Sequence, residues 1–383
     1  MKGHIRKRGR DSFEIKYDID RSDGRRQTRY KSFRGSKRES QAELTRLLNQ
    51  AQSGGHVDPH KLTVAEYVRA RVAHWRAAGI VGDKGGERYE ELVEFQVVPF
   101  LGTKLLQKLR AMDIEAWHDY LRTKGRLDGT GGLSTRTIGH VHKLLKRVLR
   151  DAVQHGLVLK NVAGEVRAPK IVAAEMRILT PEQVSALPSM LAGRTVEAPA
   201  LTSLFTGLRR GELLALRWLD VDFDRKRMTI RGALEQTVEF GTRVKEPKTK
   251  SGKRTIGLPD IVVETLREHR RQQLEMRLAL GLGKPSEDAL VFPAPGTERL
   301  WSPDVFSGLW KDVETELGLG ISFHSLRHTH ASQLIAADVP ITEIAHRLGH
   351  QSPTTTLSIY AHLFRKDDSK AAAAINATLG RGA

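Results

Sequence analysis

The sequence predicts a multidomain, mainly α-helical protein that also carries small β-sheets. Its 383 residues exceed what one ordinary hydrophobic core accommodates, so two or three domains are expected. Apolar and polar residues alternate near the N-terminus, which is typical of strands, whereas most of the remaining chain repeats its apolar residues at helical spacing. We therefore expect a small sheet with one helix at residues 1–55, a helical domain at 62–166 and a mixed α/β domain at 175–383.

The charge of the chain favours a polyanionic partner. Lysine and arginine outnumber aspartate and glutamate by 63 to 45, which gives a formal net charge of +18. The first forty residues alone carry fourteen basic and six acidic side chains, a concentrated electrostatic footprint. Nucleic acid is the expected partner, although anionic membranes and acidic proteins would also be attracted to such a surface.

Two absences from the sequence narrow the class of protein. The chain has no cysteine, which excludes disulfides, cysteine-type zinc fingers, iron–sulfur clusters and thiol catalysis. No apolar run approaches the roughly eighteen residues needed to cross a bilayer, and the N-terminal MKGHIRKRGR lacks the hydrophobic stretch of a secretion signal. We expect a soluble, cytoplasmic protein without a membrane partner.

The first domain should contain a β-hairpin followed by a helix. SFEIKYDI and RRQTRYKSF alternate apolar and polar residues on either side of the turn-forming stretch Asp20–Gly24. The helix is expected from about Ser40 to Gln52.

The second domain should be helical and present one basic helix face. Thr63 and Glu66 have the spacing of a capping box at a helix start. The clearest helix covers 137–152, where one face is apolar and the other basic. Because acids are not interspersed on the basic face, it favours phosphate contacts over a merely solvated surface. These basic residues are Lys143, Lys146, Arg147 and Arg150.

The third domain should begin after a linker around Arg167–Arg177. Thr180 caps a new helix, with proline at the first helical position and Gln183 completing the capping box. Helices are expected to about residue 219 and again from Ile261 onward. Between them, short strands are expected around Met228–Gly232, Thr237–Arg243 and Arg254–Leu258.

The first segment whose polar residues suit phosphate chemistry is TGLRRGELLALRW. Gly207 breaks a helix and Arg209 starts the next, where its side chain and the free amides can share an anion such as phosphate. Glu212 is either an ordinary first-turn acid or a group that orients Arg209. The lysine-rich turn in EPKTKSGKRTIGLP should form a hairpin tip, and a lysine held beside a phosphate could protonate a leaving alkoxide.

The segment HSLRHTH places His324, Arg327 and His328 on one helix face, while His330 points elsewhere. Three histidines raise the possibility of a metal site. The segment contains no acid and none of the metalloprotease spacings, so no metal is expected.

The segment HRLGHQSPTTTLSIYAHL contains the last candidates. Gly349 should end a helix, His350 lies at the turn, and Pro353 should start a further helix that bears Tyr360. Taken alone, Tyr360 could equally be a core tyrosine.

In this order, TGLRRGEL, HSLRHTH and LGHQSPTTTLSIYAH resemble the catalytic domain of the tyrosine recombinases, the family of phage integrases and Xer-type recombinases. The resemblance spans about residues 175–365. It implies that six side chains converge on one phosphate and that an acid supports the first arginine. In this sequence they are Arg209, Lys248, His324, Arg327, His350 and the nucleophile Tyr360, with Glu212 in support; Lys250 and Lys253 compete with Lys248.

The resemblance also implies a mechanism and partners. The enzyme should cleave DNA through a 3′-phosphotyrosine and rejoin it without metal, ATP or another cofactor, with His324 helping to accept the Tyr360 proton and Lys248 protonating the leaving oxygen. Upstream, 62–166 is similar to a core-binding domain and 1–55 to an arm-type DNA-binding domain, which favours an integrase of a phage or mobile element. A homotetramer on two attachment sites, a host DNA-bending protein and an excision factor are expected partners. The tail Phe364–Leu379 could dock on a neighbouring protomer or pack on its own domain.

Four alternatives remain open from the sequence. An Xer-type resolvase would share the chemistry, and a type IB topoisomerase would share the catalytic residues but lack the three-part architecture. A regulator that kept the fold could bind DNA without cutting it. A metal-dependent nuclease would lose activity in a chelator.

Overall fold

The computed structural model divides into two compact units, Met1–Ala173 and Ala174–Ala383. It has the predicted fold class, mixed helical with small antiparallel sheets. The structure describes residues 3–20, 26–52, 59–171, 176–246 and 252–361, together with 375, 376 and 378.

The first unit begins with a three-stranded antiparallel sheet and one helix. Its strands are β1 (Gly3–Gly9), β2 (Ser12–Asp20) and β3 (Arg26–Arg34), in that order, and helix α1 (Lys37–Gln52) packs on them. The predicted β2–β3 hairpin is confirmed, and its turn lies outside the described residues. Strand β1 escaped prediction because almost all of its residues are exposed, so it lacks an apolar face. The core consists of Ile15, Tyr17, Leu44 and Leu47.

Helix α1 begins three residues before the predicted Ser40, because Ser36 and Glu39 cap its start. The Glu39 carboxylate accepts from the Ser36 amide at 2.7 Å, and the Ser36 hydroxyl accepts from the Glu39 amide at 3.2 Å.

A separate helical core completes the first unit. The predicted Thr63 capping box is present, and the predicted basic helix extends slightly beyond 137–152. Trp75 and Trp117 are buried in this core. The helices are α2 (Val64–Ala77), α3 (Asp83–Leu92), α4 (Val98–Leu101), α5 (Ala111–Lys124), α6 (Thr135–Gln154) and α7 (Val162–Glu165), with a π-helical turn at Val93–Val97 and a 3₁₀ turn at Leu106–Lys108.

The second unit packs helices around two small antiparallel sheets. The predicted Thr180 capping box starts its first helix, and α9 lies against both α11 and α13. The helices are α8 (Pro181–Leu191), α9 (Glu197–Thr206), α10 (Arg210–Leu214), α11 (Asp260–Ala279), α12 (Pro303–Glu316), α13 (Phe323–Ala336), α14 (Ile341–Leu348) and α15 (Pro353–Tyr360), with a 3₁₀ turn at Trp218–Asp220.

Strands β4 (Val221–Asp222), β5 (Arg227–Ile230) and β8 (Arg254–Gly257) form one sheet in the order β4-β5-β8. Strands β6 (Ala233–Thr237) and β7 (Gly241–Lys245) form a separate hairpin.

Two predictions about these strands are wrong. The range Thr237–Arg243 is not a single strand but spans the end of β6, the turn of the hairpin and the start of β7, where Gly241 adopts the left-handed φ of 61° that a tight turn requires. The strands on either side of the lysine-rich segment do not form a hairpin with each other, because β7 pairs with β6 whereas β8 pairs with β5. The segment therefore connects two sheets. Residues 247–251 of that segment lie outside the described residues.

No helix in the described part of the chain is long and apolar enough to cross a membrane. The proposed tail helix Phe364–Leu379 lies outside the described residues except for 375, 376 and 378.

Candidate active site

Gly207 positions Arg209 at the start of α10, as the sequence predicts. It ends α9 with a left-handed φ of 72°. A Cβ atom there would lie 2.7 Å from His330 Cδ2 and 2.8 Å from Leu348 Cδ2, so only glycine allows the turn to approach α13 and α14 this closely. Leu208 is buried beside it, and Arg209 follows as the N-cap residue of α10.

Glu212 links Arg209 to a second arginine. Its buried carboxylate accepts from Arg209 Nη1 at 2.7 Å and from Arg254 Nη1 and Nη2 at 3.1 and 2.9 Å. Burial alone raises the pKa of Glu212, but the hydrogen bond from Arg254 and the charges of Arg254 and Arg209 outweigh it and lower the pKa to about 2. Glu212 is thus ionised at neutral pH and orients Arg209.

Three arginines bind the C-terminus of α14. The last carbonyls of a helix have no partner within it and carry the negative end of the helix dipole, so guanidinium groups are well placed there. Three different elements supply these arginines, and the turn therefore gathers them in one place. The bonds join Arg254 Nε to Arg347 O at 2.8 Å, Arg327 Nη2 to Leu348 O at 2.7 Å and Arg209 Nη2 to Gly349 O at 3.2 Å.

Arg327 also fixes the orientation of His350. Its buried guanidinium donates to Gly207 O at 2.6 Å, and Nη2 lies 2.9 Å from His350 Nε2. An arginine can only donate, so His350 Nε2 accepts, and Nδ1–H donates to Thr356 Oγ1 at 2.7 Å. Burial and the Arg327 charge lower the pKa of His350 to about 4, which keeps its ring neutral. Burial and the Arg209 charge lower the pKa of Arg327 to about 9, so its guanidinium stays charged at pH 7.

Tyr360 is only 1% exposed, and its hydroxyl makes one hydrogen bond to a histidine. Tyr360 Oη lies 2.6 Å from His328 Nδ1. Burial raises the pKa of Tyr360 to about 12, although the charges of Arg327 and Arg209 pull it down. Burial and the neighbouring His324 lower the pKa of His328 to about 4, so the phenol donates to a neutral ring.

The part of the chain that contains these residues matches a known protein family. Residues 177–367 match the phage integrase family. The chain is a tyrosine recombinase of the phage integrase family. Members of this family cleave and rejoin DNA without a metal ion.

Relatives align with nearly the whole recombinase chain. It is 24% identical to a tyrosine recombinase XerC-like protein of Caldanaerobacter subterraneus subsp. tengcongensis, with 97% of each chain covered. It is 28% identical to an integrase of Streptomyces ambofaciens, with 91% of this chain and 88% of the relative covered.

Two solved structures establish the fold of the recombinase. The Tn1549 transposon integrase in complex with a circular intermediate DNA has a TM-score of 0.69 at 20% identity and covers 83% of this chain and 99% of that one. A lambda integrase tetramer bound to a Holliday junction has a TM-score of 0.56 at 18% identity, covering 92% of this chain and 96% of that one.

Within the recombinase, His324 faces a groove rather than Tyr360. It is exposed, and Arg177, Arg209 and Arg210 line the same groove of about 890 Å³. Its ring meets the His328 ring edge to face at a centroid distance of 4.7 Å. Partial desolvation of the ring and the charges of the neighbouring arginines, Arg327 first, lower the pKa of His324. Tyr360 is hydrogen-bonded to His328, whereas the resemblance assigns a part in accepting the Tyr360 proton to His324.

The remaining predicted residues have different outcomes. Lys248 and Lys250 lie outside the described residues, and Lys253 is exposed just before β8. The described residues contain no group of three or more histidine, aspartate or glutamate side chains that could hold a metal ion. On α6, the basic side chains Lys143, Lys146 and Arg150 are exposed, whereas Arg147 is half-buried over the Trp75 ring at 4.1 Å.

Sequence reasoning missed three residues of this site. Arg254 was assigned to a strand but not to the site, Thr356 was not singled out, and His328 was placed on the right helix face without a role. The capping-box spacing of Arg209 and Glu212 was readable, but the partner that buries Glu212 comes from a distant strand. Only the folded chain brings that strand near.

Proposed function

We propose that this recombinase is a site-specific integrase that cleaves double-stranded DNA through a 3′-phosphotyrosine at Tyr360 and integrates or excises a phage or mobile element. One observation carries the proposal. Arg209, Arg327 and His350 meet at the turn after α14, and the charges of both arginines act on the Tyr360 phenol. That arrangement offers one phosphate two cations and a nucleophile.

The two arginines would stabilise the transition state. Arg209 is partly exposed and can turn donors towards a non-bridging oxygen, while Arg327 is held rigidly by carbonyls. Fixed cations aimed at the developing charge of the phosphorane replace the role of a metal ion. His350 would hydrogen-bond the phosphate, and Glu212 would keep Arg209 in place.

A lysine would protonate the departing 5′ oxygen. Lys248 is our first choice for this general acid, with Lys250 and Lys253 as competitors. Because the phosphodiester energy stays in the phosphotyrosine bond, a 5′ hydroxyl of a partner strand can reverse the step and rejoin DNA without ATP.

The upstream parts would select the DNA. We assign residues 1–55 to arm-type sites and 62–166 to the crossover core, with Lys143, Lys146, Arg147 and Arg150 on phosphates. Residues 175–383 would be the catalytic domain. Exchange between two duplexes needs four cleavages, so we propose a homotetramer, assisted by a host DNA-bending protein and an excision factor. Since the substrate is DNA, the enzyme should act in the bacterial cytoplasm.

The test is covalent adduct formation. The full-length chain is first used to select binding sites from random DNA, and the selected duplexes are then nicked at successive positions and incubated with the protein in EDTA. We expect a covalent protein–DNA adduct that Tyr360→Phe abolishes. An adduct that persists in the phenylalanine variant, or cleavage that EDTA stops, would reject the proposal.

An Xer-type resolvase is the second candidate, supported by the XerC-like relative that aligns with 97% of the chain. Deleting residues 1–55 separates the two. An integrase should still cleave the crossover core but lose integration at sites with flanking arms, whereas undiminished recombination would favour the resolvase.

A further inference from the structure

The hydrogen bond between Tyr360 and His328 assigns a role that the proposed function leaves open. We propose that His328 is the catalytic base that takes the Tyr360 proton during cleavage. This inference rests on the proposed function, because it concerns the same nucleophile. It differs from the expectation drawn from the sequence, which gave that step to His324.

Geometry favours His328 over His324. His328 Nδ1 lies 2.6 Å from Tyr360 Oη, within the range of a short O–H donor bond. His324 lies one turn earlier on α13, and its ring packs edge to face against the His328 ring. His324 instead lines the groove with Arg209, where a phosphate contact is the simpler role.

The protonation state of His328 is the one a base needs. The phenol is the donor, so Nδ1 carries a lone pair and the ring hydrogen resides on Nε2. Burial lowers the pKa of His328, and the neighbouring His324 and Arg327 lower it further, so the ring is neutral before cleavage. A bound phosphodiester brings a negative charge that offsets Arg327. The DNA therefore makes proton uptake by His328 easier when it is required.

The step balances without a further reactant. The O–H bond of Tyr360 breaks and its proton moves to His328 Nδ1, while Oη forms a bond to phosphorus. The bond from phosphorus to the 5′ oxygen breaks, and that oxygen receives a proton from the lysine proposed above. In rejoining, the 5′ hydroxyl gives its proton back to that lysine and its oxygen bonds to phosphorus. The bond from phosphorus to Oη breaks, and His328 returns its proton to Oη.

The experiment replaces the ring while keeping the hydrogen bond. His328→Asn places an amide oxygen near the former position of Nδ1, so it can accept from Tyr360 but cannot take its proton. The matched control is His346→Asn, since His346 is an exposed histidine on α14 outside the site. Adduct formation on the nicked duplex is measured from pH 7 to pH 10 for the wild type, both variants and His324→Asn.

We expect His328→Asn to lower cleavage about a hundredfold or more at pH 7, the usual contribution of a general base. Its deficit should shrink with rising pH, because the phenolate fraction below its pKa grows about tenfold per pH unit. His346→Asn should match the wild type. The deficit of His324→Asn should not depend on pH, because a lost phosphate contact is not restored by hydroxide.

Three outcomes would overturn the inference: wild-type cleavage by His328→Asn, a deficit that does not shrink with pH, or a pH-dependent deficit in His324→Asn instead. Thermal melting checks folding, and His328→Gln, whose amide cannot take the proton either, decides the matter if the asparagine variant is unstable. If the wild type forms no adduct, the proposed function itself is rejected. If the wild type and His328→Asn form the adduct equally well, only the role of His328 as the base is rejected.

Discussion

Replacing Arg254 by methionine should destabilise the second unit by about 3 to 5 kcal/mol. The Arg254 side chain is 1% exposed and Glu212 is 6% exposed, and they share two hydrogen bonds at 2.9 and 3.1 Å. Methionine fills much of the volume of the Arg254 side chain, but Arg209 is then the only arginine still bonded to the buried Glu212 carboxylate. Removing one partner of a buried ion pair leaves the other charge poorly compensated, here by the 38% exposed Arg209 alone, and the usual cost of breaking such a pair sets the magnitude.

The pKa of Glu212 gives a second value for the contribution of this ion pair to the free energy of unfolding. The folded protein lowers it from the ordinary 4.5 to about 2, and each pKa unit corresponds to roughly 1.4 kcal/mol, so the carboxylate contributes about 3 to 4 kcal/mol. Because the folded pKa lies below the unfolded one, this contribution is present above about pH 4.5 and is lost as the pH falls towards 2.

The assay is amide hydrogen exchange in increasing urea, read from peptides of α9 and α13 so that the second unit is measured by itself. Arg271→Met is the control, since Arg271 is exposed on α11 and pairs with the exposed Glu268; it should leave these peptides unchanged. Arg254→Met combined with Glu212→Met should recover most of the loss, because both members of the buried Arg254–Glu212 pair are then removed. A loss below about 1 kcal/mol in Arg254→Met would refute the reasoning.

Three further predictions concern other parts of the chain. Gly207→Ala should lower the melting temperature, because its φ is 72° and a Cβ would lie 2.7 Å from His330; an unchanged melting curve would contradict the assignment of this turn. Burial lowers the pKa of His142, bonded to His118, to about 4, so urea unfolding of the first unit should require less denaturant at pH 5 than at pH 7, and His142→Phe should reduce that difference; equal midpoints would contradict it. Lys146→Ala should reduce the slope of log affinity for DNA against log salt by about 0.9, and an unchanged slope would remove this lysine from the phosphate contacts.

Features encoded by neighbouring residues were predictable from the sequence. The capping boxes at Thr63 and Thr180 depend on residues three positions apart, and both are present. The long basic helix was found because its apolar face repeats without interruption. The glycines at 207 and 349 end their helices as expected, because a left-handed residue is a local requirement.

Features that depend on distant partners were not predictable. Strand β8 pairs with β5 across the intervening β6–β7 hairpin, so the lysine segment looked like a hairpin tip although it joins two sheets. Spacing placed His324 and His328 on one face, but the packing of α15 decides which ring meets Tyr360. Arg254 resembled any arginine of a basic strand until its carboxylate partner, 42 positions away, was brought to it.

The way the site holds its arginines has a consequence for phosphate binding. The positive charges of the three arginines 209, 254 and 327 repel one another. Carboxylates beside them would relieve this repulsion, but each carboxylate would also cancel positive charge that the proposed function assigns to DNA binding. In the described part of the chain, Glu212 is the one carboxylate bonded to these arginines, and backbone carbonyls of residues 207 and 347–349 supply other acceptors. Carbonyls carry only partial charge, so they fix the guanidinium groups and leave about two positive charges uncancelled, which under the proposed function would face the phosphodiester. A site braced by helix ends can therefore be rigid and cationic at once.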